Sequence, residues 1–357
     1  MLLVISLGVI LLVLLSAFFF IKPNLSPEGL SNCTAYTSPA NPAINLVFFA
    51  SKEATAKYAD ALRNSPPFDK VYDQIGINYI TGYNSVCEIY KGIALLCYSK
   101  QIIKQAASCP NDVIVVVKEE PAKIRSSSYM NVLSLNSKQS SNVFLHELAH
   151  AVANLADEYV PAEIPKGSEN CVSSCEEFGE LGEGCFNGCS DEGHKRSIDR
   201  GLMRTLSTSE FGEFNENKII SALKLGTSAQ ITGRAVDSQI DCSEQNYYLL
   251  KGKLSNEKVE ITEKMLETGC PGDNGAGPFV YKFIGGDGAE ISSGDFNPSL
   301  IFTDGASEGG ELSGGPMPSE REFYLRVPII ANVAKLEITN GEQNTFVQLS
   351  DIGRRPC

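Results

Sequence analysis

The segment His146-Glu147-Leu148-Ala149-His150 constrains this chain more than any other. On an α-helix, residues four apart stand one turn apart on the same face. Two imidazoles so placed can hold one zinc ion. The Glu beside the first His then lies near the open position of the metal, where it can take a proton from water. The flanks, Asn142 to Phe144 and Ala151 to Ala153, are mostly apolar and suit a buried helix. The chain has 357 residues and only three His, so two of them in one short motif is a concentrated signal. An ordinary pair of helix histidines with an exposed Glu is the plainer alternative. It leaves the placement of scarce histidines on an apolar helix unexplained.

A catalytic zinc takes three protein ligands and keeps one position open. In metzincins a Gly three residues after the second His ends the helix, and the third ligand follows at six. Ala153 and Ala156 occupy those offsets here, but one residue later Asn154 and Asp157 restore the same step. After Gly, Asn is the residue that best tolerates a left-handed helix terminus. An unbroken helix would carry Asp157 about 10 Å beyond His150. Asp157 as third ligand therefore requires a chain reversal near Asn154. Glu158 is the competing ligand, Asp157 can instead orient a ligand from behind, and His194 is a more distant candidate. Downstream, Met203 within Gly201 to Thr205 can form an apolar floor beneath the histidines.

The stretch His146 to Tyr159 resembles the zinc-site signature of the IgA-specific metallopeptidase family, which has Gly where Asn154 stands and continues Leu-Ala-Asp-Glu-Tyr. Gly184 to Gly188, Leu202-Met203-Arg204 and the strand opening at Ile44 are similar to other segments of that family. The resemblance covers about Ile44 to Leu225. It implies a metzincin-like zinc metalloendopeptidase. It does not imply immunoglobulin as the substrate. Asn154 in place of Gly and a Cys-rich insert depart from the family pattern, and they leave substrate and cleft shape open.

Residues Leu2 to Ile21 are apolar and uncharged, and about 20 such residues span a bilayer. A charged n-region and a small-residue cleavage site are both missing, which favours an N-terminal transmembrane helix (residues 1–22) over a cleaved signal. Residues 23–43 read as a linker rich in Pro, Asn and Ser. Ile44 to Ala50 reads as a buried strand, and a helix capped by Ser51 follows. Ser99 to Ala107 reads as helix, and Asp112 to Lys118 and Asn131 to Leu135 as strands. That order predicts an α/β zincin (metzincin-like) catalytic domain over 44–227, with a twisted sheet above the active-site helix. Ile124 to Met130 reads either as a polar edge strand able to hold an extended peptide or as a surface loop. Over 228–357, short β-type runs recur at Asn246 to Leu250, Lys258 to Thr262, Phe279 to Ile284, Glu322 to Pro328 and Thr345 to Leu349. They predict an all-β sandwich-like domain. The Gly- and Asp-rich stretch Gly285 to Pro318 reads as long loops.

The net charge of −13 argues against a nucleic-acid partner, because phosphate binding needs a basic surface. The 11 Cys suit an oxidising exterior. Cys171, Cys175, Cys185 and Cys189 can form two disulfides or a structural zinc site, and an exported protein favours disulfides. Cys242 can pair with Cys270, and Cys33 can enter a disulfide or act as a blocking thiolate. Together these features predict a zinc endopeptidase outside the cell, membrane-anchored by its N-terminal helix or secreted, acting on protein or peptide substrates. Zn2+ would be held by His146, His150 and Asp157, with Glu147 as general base and Tyr159 or Tyr129 as oxyanion donor. Two other readings stand beside it: a surface binding or adhesion protein with a degenerate zincin lobe, and a metal-dependent hydrolase of a non-peptide amide.

Overall fold

Alternating apolar residues place a core on each face of one sheet. The computed structural model describes residues 30–229, 241–306 and 312–349. Strand β1 (Thr34–Thr37) precedes β2 (Ile44–Phe49). In β2, Leu46 and Phe48 enter one core while Val47 and Phe49 enter the other, the two-residue period of a strand buried on both sides. Helix α1 (Lys52–Arg63) begins at Ser51, whose hydroxyl accepts the Ala54 N–H at 3.2 Å. There follow β3 (Ile75–Ile80), a short ribbon of β4 (Glu88–Tyr90) and β5 (Ala94–Leu96), helix α2 (Lys100–Ala106), β6 (Val113–Lys118), β7 (Ser126–Tyr129), β8 (Val132–Asn136) and α3 (Ser141–Ala153). A hairpin of β9 (Phe186–Cys189) and β10 (Asp191–Arg196) leads to α4 (Glu213–Ala229). The C-terminal part holds β11 (Asn246–Ser255), β12 (Lys258–Thr268), β13 (Phe279–Gly285), β14 (Glu290–Phe296), β15 (Leu300–Ala306), β16 (Leu312–Pro318), β17 (Phe323–Pro328), β18 (Val333–Thr339) and β19 (Asn344–Val347).

The largest sheet has eight strands in the order β1-β3-β2-β6-β8-β7-β15-β16. Strands β3, β2, β6 and β8 run parallel, and β7 returns antiparallel to β8. On one face, Leu46, Phe48, Val115 and Leu133 pack against α1, α3 and α4. On the other face, Val47, Ile114 and Val116 share a core with Ile102 and Ile103 of α2. That core runs on through Leu249, Phe283, Phe323 and Leu336 of the smaller sheets, which have the orders β12-β11-β17 and β14-β13-β18-β19.

This architecture corrects the expected α/β zincin catalytic domain followed by a sandwich-like domain. Among the described residues, 19 strands stand against four α-helices, so the chain is mostly β. Strands β15 and β16 extend the sheet begun near the N-terminus, and one core joins Val47 to Leu349. The physical cause is the free edge of β7: its backbone groups need partners, and β15 supplies them. The expected N-terminal transmembrane helix is not supported either. Residues 1–22 lie outside the described residues, and among those described no helix is long and apolar enough to cross a membrane.

Two segments differ from their local reading. Ile124 to Met130, expected as an exposed edge or surface loop, contains β7, which is buried along its whole length. Two of its serines are satisfied internally: Ser126 Oγ donates to Gln139 Oε1 at 2.6 Å and Ser127 Oγ to the Leu95 carbonyl at 2.5 Å. Gly285 to Pro318, expected as loops, contains β14, β15 and β16. Gly314 explains part of its glycine content. It has φ +147°, and a Cβ there would lie 1.7 Å from the Thr303 carbonyl oxygen, so the hairpin admits no side chain at this position.

The cysteines form five disulfides: Cys33–Cys109, Cys87–Cys97, Cys171–Cys189, Cys175–Cys185 and Cys242–Cys270. The four-cysteine cluster thus makes two nested bridges, and Cys33 is bonded rather than a free thiolate. Cys357 lies outside the described residues.

Candidate metal centre

Helix α3 is buried from Val143 to Ala151 and ends at Asn154, which takes the left-handed conformation (φ 48°, ψ 36°). The Asn154 N–H still reaches the His150 carbonyl at 3.0 Å, which closes the last turn. The Asn154 side-chain amide donates to the Lys166 carbonyl at 3.1 Å, and the Asn154 backbone carbonyl accepts from Ser168 Oγ at 2.5 Å. The chain therefore reverses at the residue where the motif spacing requires it. Replacing Asn154 with Ala should cost about 1–2 kcal/mol, from the left-handed backbone and the lost hydrogen bond. Asn154→Gly should cost less, because Gly adopts that backbone freely. Denaturant midpoints of the two variants check this order.

The reversal also orients the site. His150 Nδ1 donates to the Leu155 carbonyl at 2.6 Å, just past the turn, and His146 Nδ1 donates to the Leu202 carbonyl at 3.1 Å. A carbonyl can only accept, so both rings carry a proton on Nδ1, and the neutral form of each ring has Nε2 free to bind a metal. The two Nε2 atoms lie 3.0 Å apart, on rings at 89° to each other. Asp157 Oδ1 stands 3.1 Å from His146 Nε2 and 3.4 Å from His150 Nε2. A fourth group, Asp304 of β15, places Oδ2 at 3.7 and 3.8 Å from the same nitrogens. All four ligand atoms lie within 4.8 Å of one another. Four ligands each about 2 Å from a tetrahedral zinc ion stand about 3.3 Å apart, so the cluster is close to the size such an ion needs.

Its charge fits a cation as well. All four residues are buried. Both Asp157 oxygens and Asp304 Oδ2 have no hydrogen-bond partner. Two carboxylates buried together in a dry pocket are costly without positive charge beside them, which a protonated histidine or a bound cation supplies. Burial opposes protonation of His146, but hydrogen bonding and charge from Asp157 and Asp304 outweigh it and push its pKa well above the ordinary imidazole value. Burial would raise Asp157 too, but His150 and then His146 hold it below the usual carboxylate range. A divalent ion would neutralise the two carboxylates while leaving the imidazoles neutral.

Glu147 is fully buried beside this cluster, and both of its oxygens lack partners. Burial, then the charge of Asp304, lifts its pKa well above the normal range despite the opposing effect of His146. A carboxyl group so placed holds a proton more readily than an exposed glutamate does. Tyr159 donates its hydroxyl to Asp304 Oδ1 at 2.5 Å. Burial and the nearby Asp157 and Asp304 carboxylates push that phenol far up, so it remains a donor.

The other sequence candidates fall elsewhere. Glu158 turns away from the cluster: its Oε1 accepts from Asn215 Nδ2 at 2.8 Å and Asn170 Nδ2 at 3.2 Å, and burial lifts its pKa to about 7. His194 pairs with Asp191 at 2.8 Å on β10, away from the site. Tyr129 donates to the Pro298 carbonyl and packs on Tyr98. Met203 is fully buried in the helix-side core, and its carbonyl accepts the Glu158 N–H at 2.8 Å. Sequence reasoning missed Asp304. Its one available signal is an acidic residue two positions after the apolar run Leu300-Ile301-Phe302. Compared with known proteins, the chain matches no protein-family model and no curated protein.

Proposed function

We propose that this chain is a zinc-dependent endopeptidase acting on protein or peptide substrates outside the cytoplasm. One observation carries the reading: His146, His150 and Asp157 converge on a single point with Glu147 buried and unpartnered beside them. A structural metal needs the ligands but has no use for an adjacent unpaired carboxyl group. When bound, zinc would act as a Lewis acid, polarising a peptide carbonyl and easing loss of a proton from water. Glu147 accepts that proton and passes it to the leaving amine. Tyr159 offers a hydroxyl donor for the charge that develops on the carbonyl oxygen. The similarity of His146 to Tyr159 to the IgA-specific metallopeptidase signature supports the same chemistry, and five disulfides suit an oxidising compartment.

A second reading is favoured by Asp304. Four protein ligands describe a closed metal site, as in a surface binding protein whose metal is purely structural. The full chain separates the two readings. Metal analysis should find one zinc per molecule, and an unfolded protein substrate should be cleaved by the chain or by its Asp304→Ala variant, with chelation stopping the reaction. One zinc with no cleavage by either protein overturns the peptidase reading and leaves the structural one.

A further inference from the structure

We propose that strand β15 is a built-in blocking segment that occupies the peptide-binding edge of the site and fills the fourth metal position with Asp304; this rests on the peptidase reading above. Strand β15 pairs antiparallel with β7, with Phe302 opposite Ser128, Thr303 opposite Ser127 and Asp304 opposite Ser126. That is how an extended peptide adds to a sheet edge. The pairing spans three residues, whereas β15 and β16 pair over seven. The hairpin thus pairs more extensively with itself than with the edge it covers, while Ile301 packs in the core shared with β2 and β6.

The side chains of β15 engage the site directly. The Phe302 ring stacks on His150 with centroids 4.0 Å apart. Asp304 divides its carboxylate between the Tyr159 hydroxyl and the two Nε2 atoms. The backbone of β16 closes over them, with the Cβ position of Gly315 3.5 Å from Tyr159 Oη. Asp304 is wholly buried, and its Oδ2 has no hydrogen-bond partner. A carboxylate there is accounted for by a cation in front of it. A fourth protein ligand and an attacking water compete for one position. A peptide and β15 likewise compete for the hydrogen bonds of β7. Release of either contact therefore favours substrate binding, and Asp304 is the contact that closes the metal position.

The test uses the full chain loaded with Co2+ in place of zinc, and acetohydroxamate as a small metal-binding probe. In the unaltered protein the visible spectrum should not respond to the probe. In Asp304→Ala the metal should stay at one per chain, the spectrum should shift on probe addition, and cleavage of an unfolded protein by the zinc form should rise at least tenfold. Asp304→Asn, which keeps the shape of the side chain, should give the same direction of change if the Ala variant does not fold. Two results overturn the proposal: an equal response of unaltered and variant protein to the probe, or loss of metal from both variants. A probe response confined to the variants with no cleavage by any form leaves the block in place and removes the peptidase reading instead.

Discussion

Replacement of Glu147 by Ala is expected to reduce peptide hydrolysis by about 10²–10⁴-fold, the usual contribution of a positioned general base, and to leave zinc content unchanged. The measurement is made in parallel on the unaltered chain and on Asp304→Ala, each with and without the Glu147 change. The same substitution has a second expected effect. Glu147 is buried with neither oxygen hydrogen-bonded, and such a group costs about 1–3 kcal/mol in the folded state. Loss of the side chain leaves a small cavity in exchange. Thermal stability should therefore hold or rise while activity disappears. A residue kept for packing would show the reverse, a fall in stability that matches any fall in activity. Undiminished hydrolysis by Glu147→Ala would remove Glu147 from the mechanism.

Removal of the metal is expected to cause a large loss of stability without altering the sequence or the disulfides. The cluster leaves both Asp157 oxygens and Asp304 Oδ2 without hydrogen bonds inside the protein. With free zinc a thousandfold above its Kd, binding to the folded chain alone contributes about 4 kcal/mol. At about 2–4 °C per kcal/mol, chelation should lower Tm by about 10 °C. Readdition of zinc should restore it, because the disulfides are unaffected by a chelator. The His146→Ala and Asp157→Ala variants should melt near the chelated protein and respond little to added zinc. A Tm that is indifferent to verified zinc removal would show that the cluster is not a metal centre.

The parts of the site legible in the sequence are those set by local geometry. The i, i+4 histidines share a helix face whatever surrounds them. The reversal at Asn154 follows from the offset of Asp157 and from the tolerance of Asn for a left-handed backbone. Asp304 could not be read the same way. It arrives on a strand 145 residues beyond Tyr159, and no local spacing encodes that approach. Glycine content misled as well: Gly314 marks close approach of two strands, not a loop. Ser126 and Ser127 look like surface residues until Gln139 and the Leu95 carbonyl are known to take their hydroxyls. The expected fold class, an α/β zincin lobe followed by a separate sandwich, failed for a related reason. Local β-type runs locate strands, but they do not say which sheet a strand joins, and β15 and β16 join the sheet begun by β2.

The seam between β7 and β15 has a consequence for biosynthesis. A chain made from its N-terminus completes β7, both histidines and Asp157 well before β15 emerges. During that interval the β7 edge is bare, a template for pairing with another chain. The long sequence separation makes its proper closure a late and slow step. The same interval leaves three of the four metal-facing groups open to solvent, so the ion can enter from water before the last strand covers it. If the cluster holds a metal, order of synthesis would favour an order of assembly with metal first and the covering strand second.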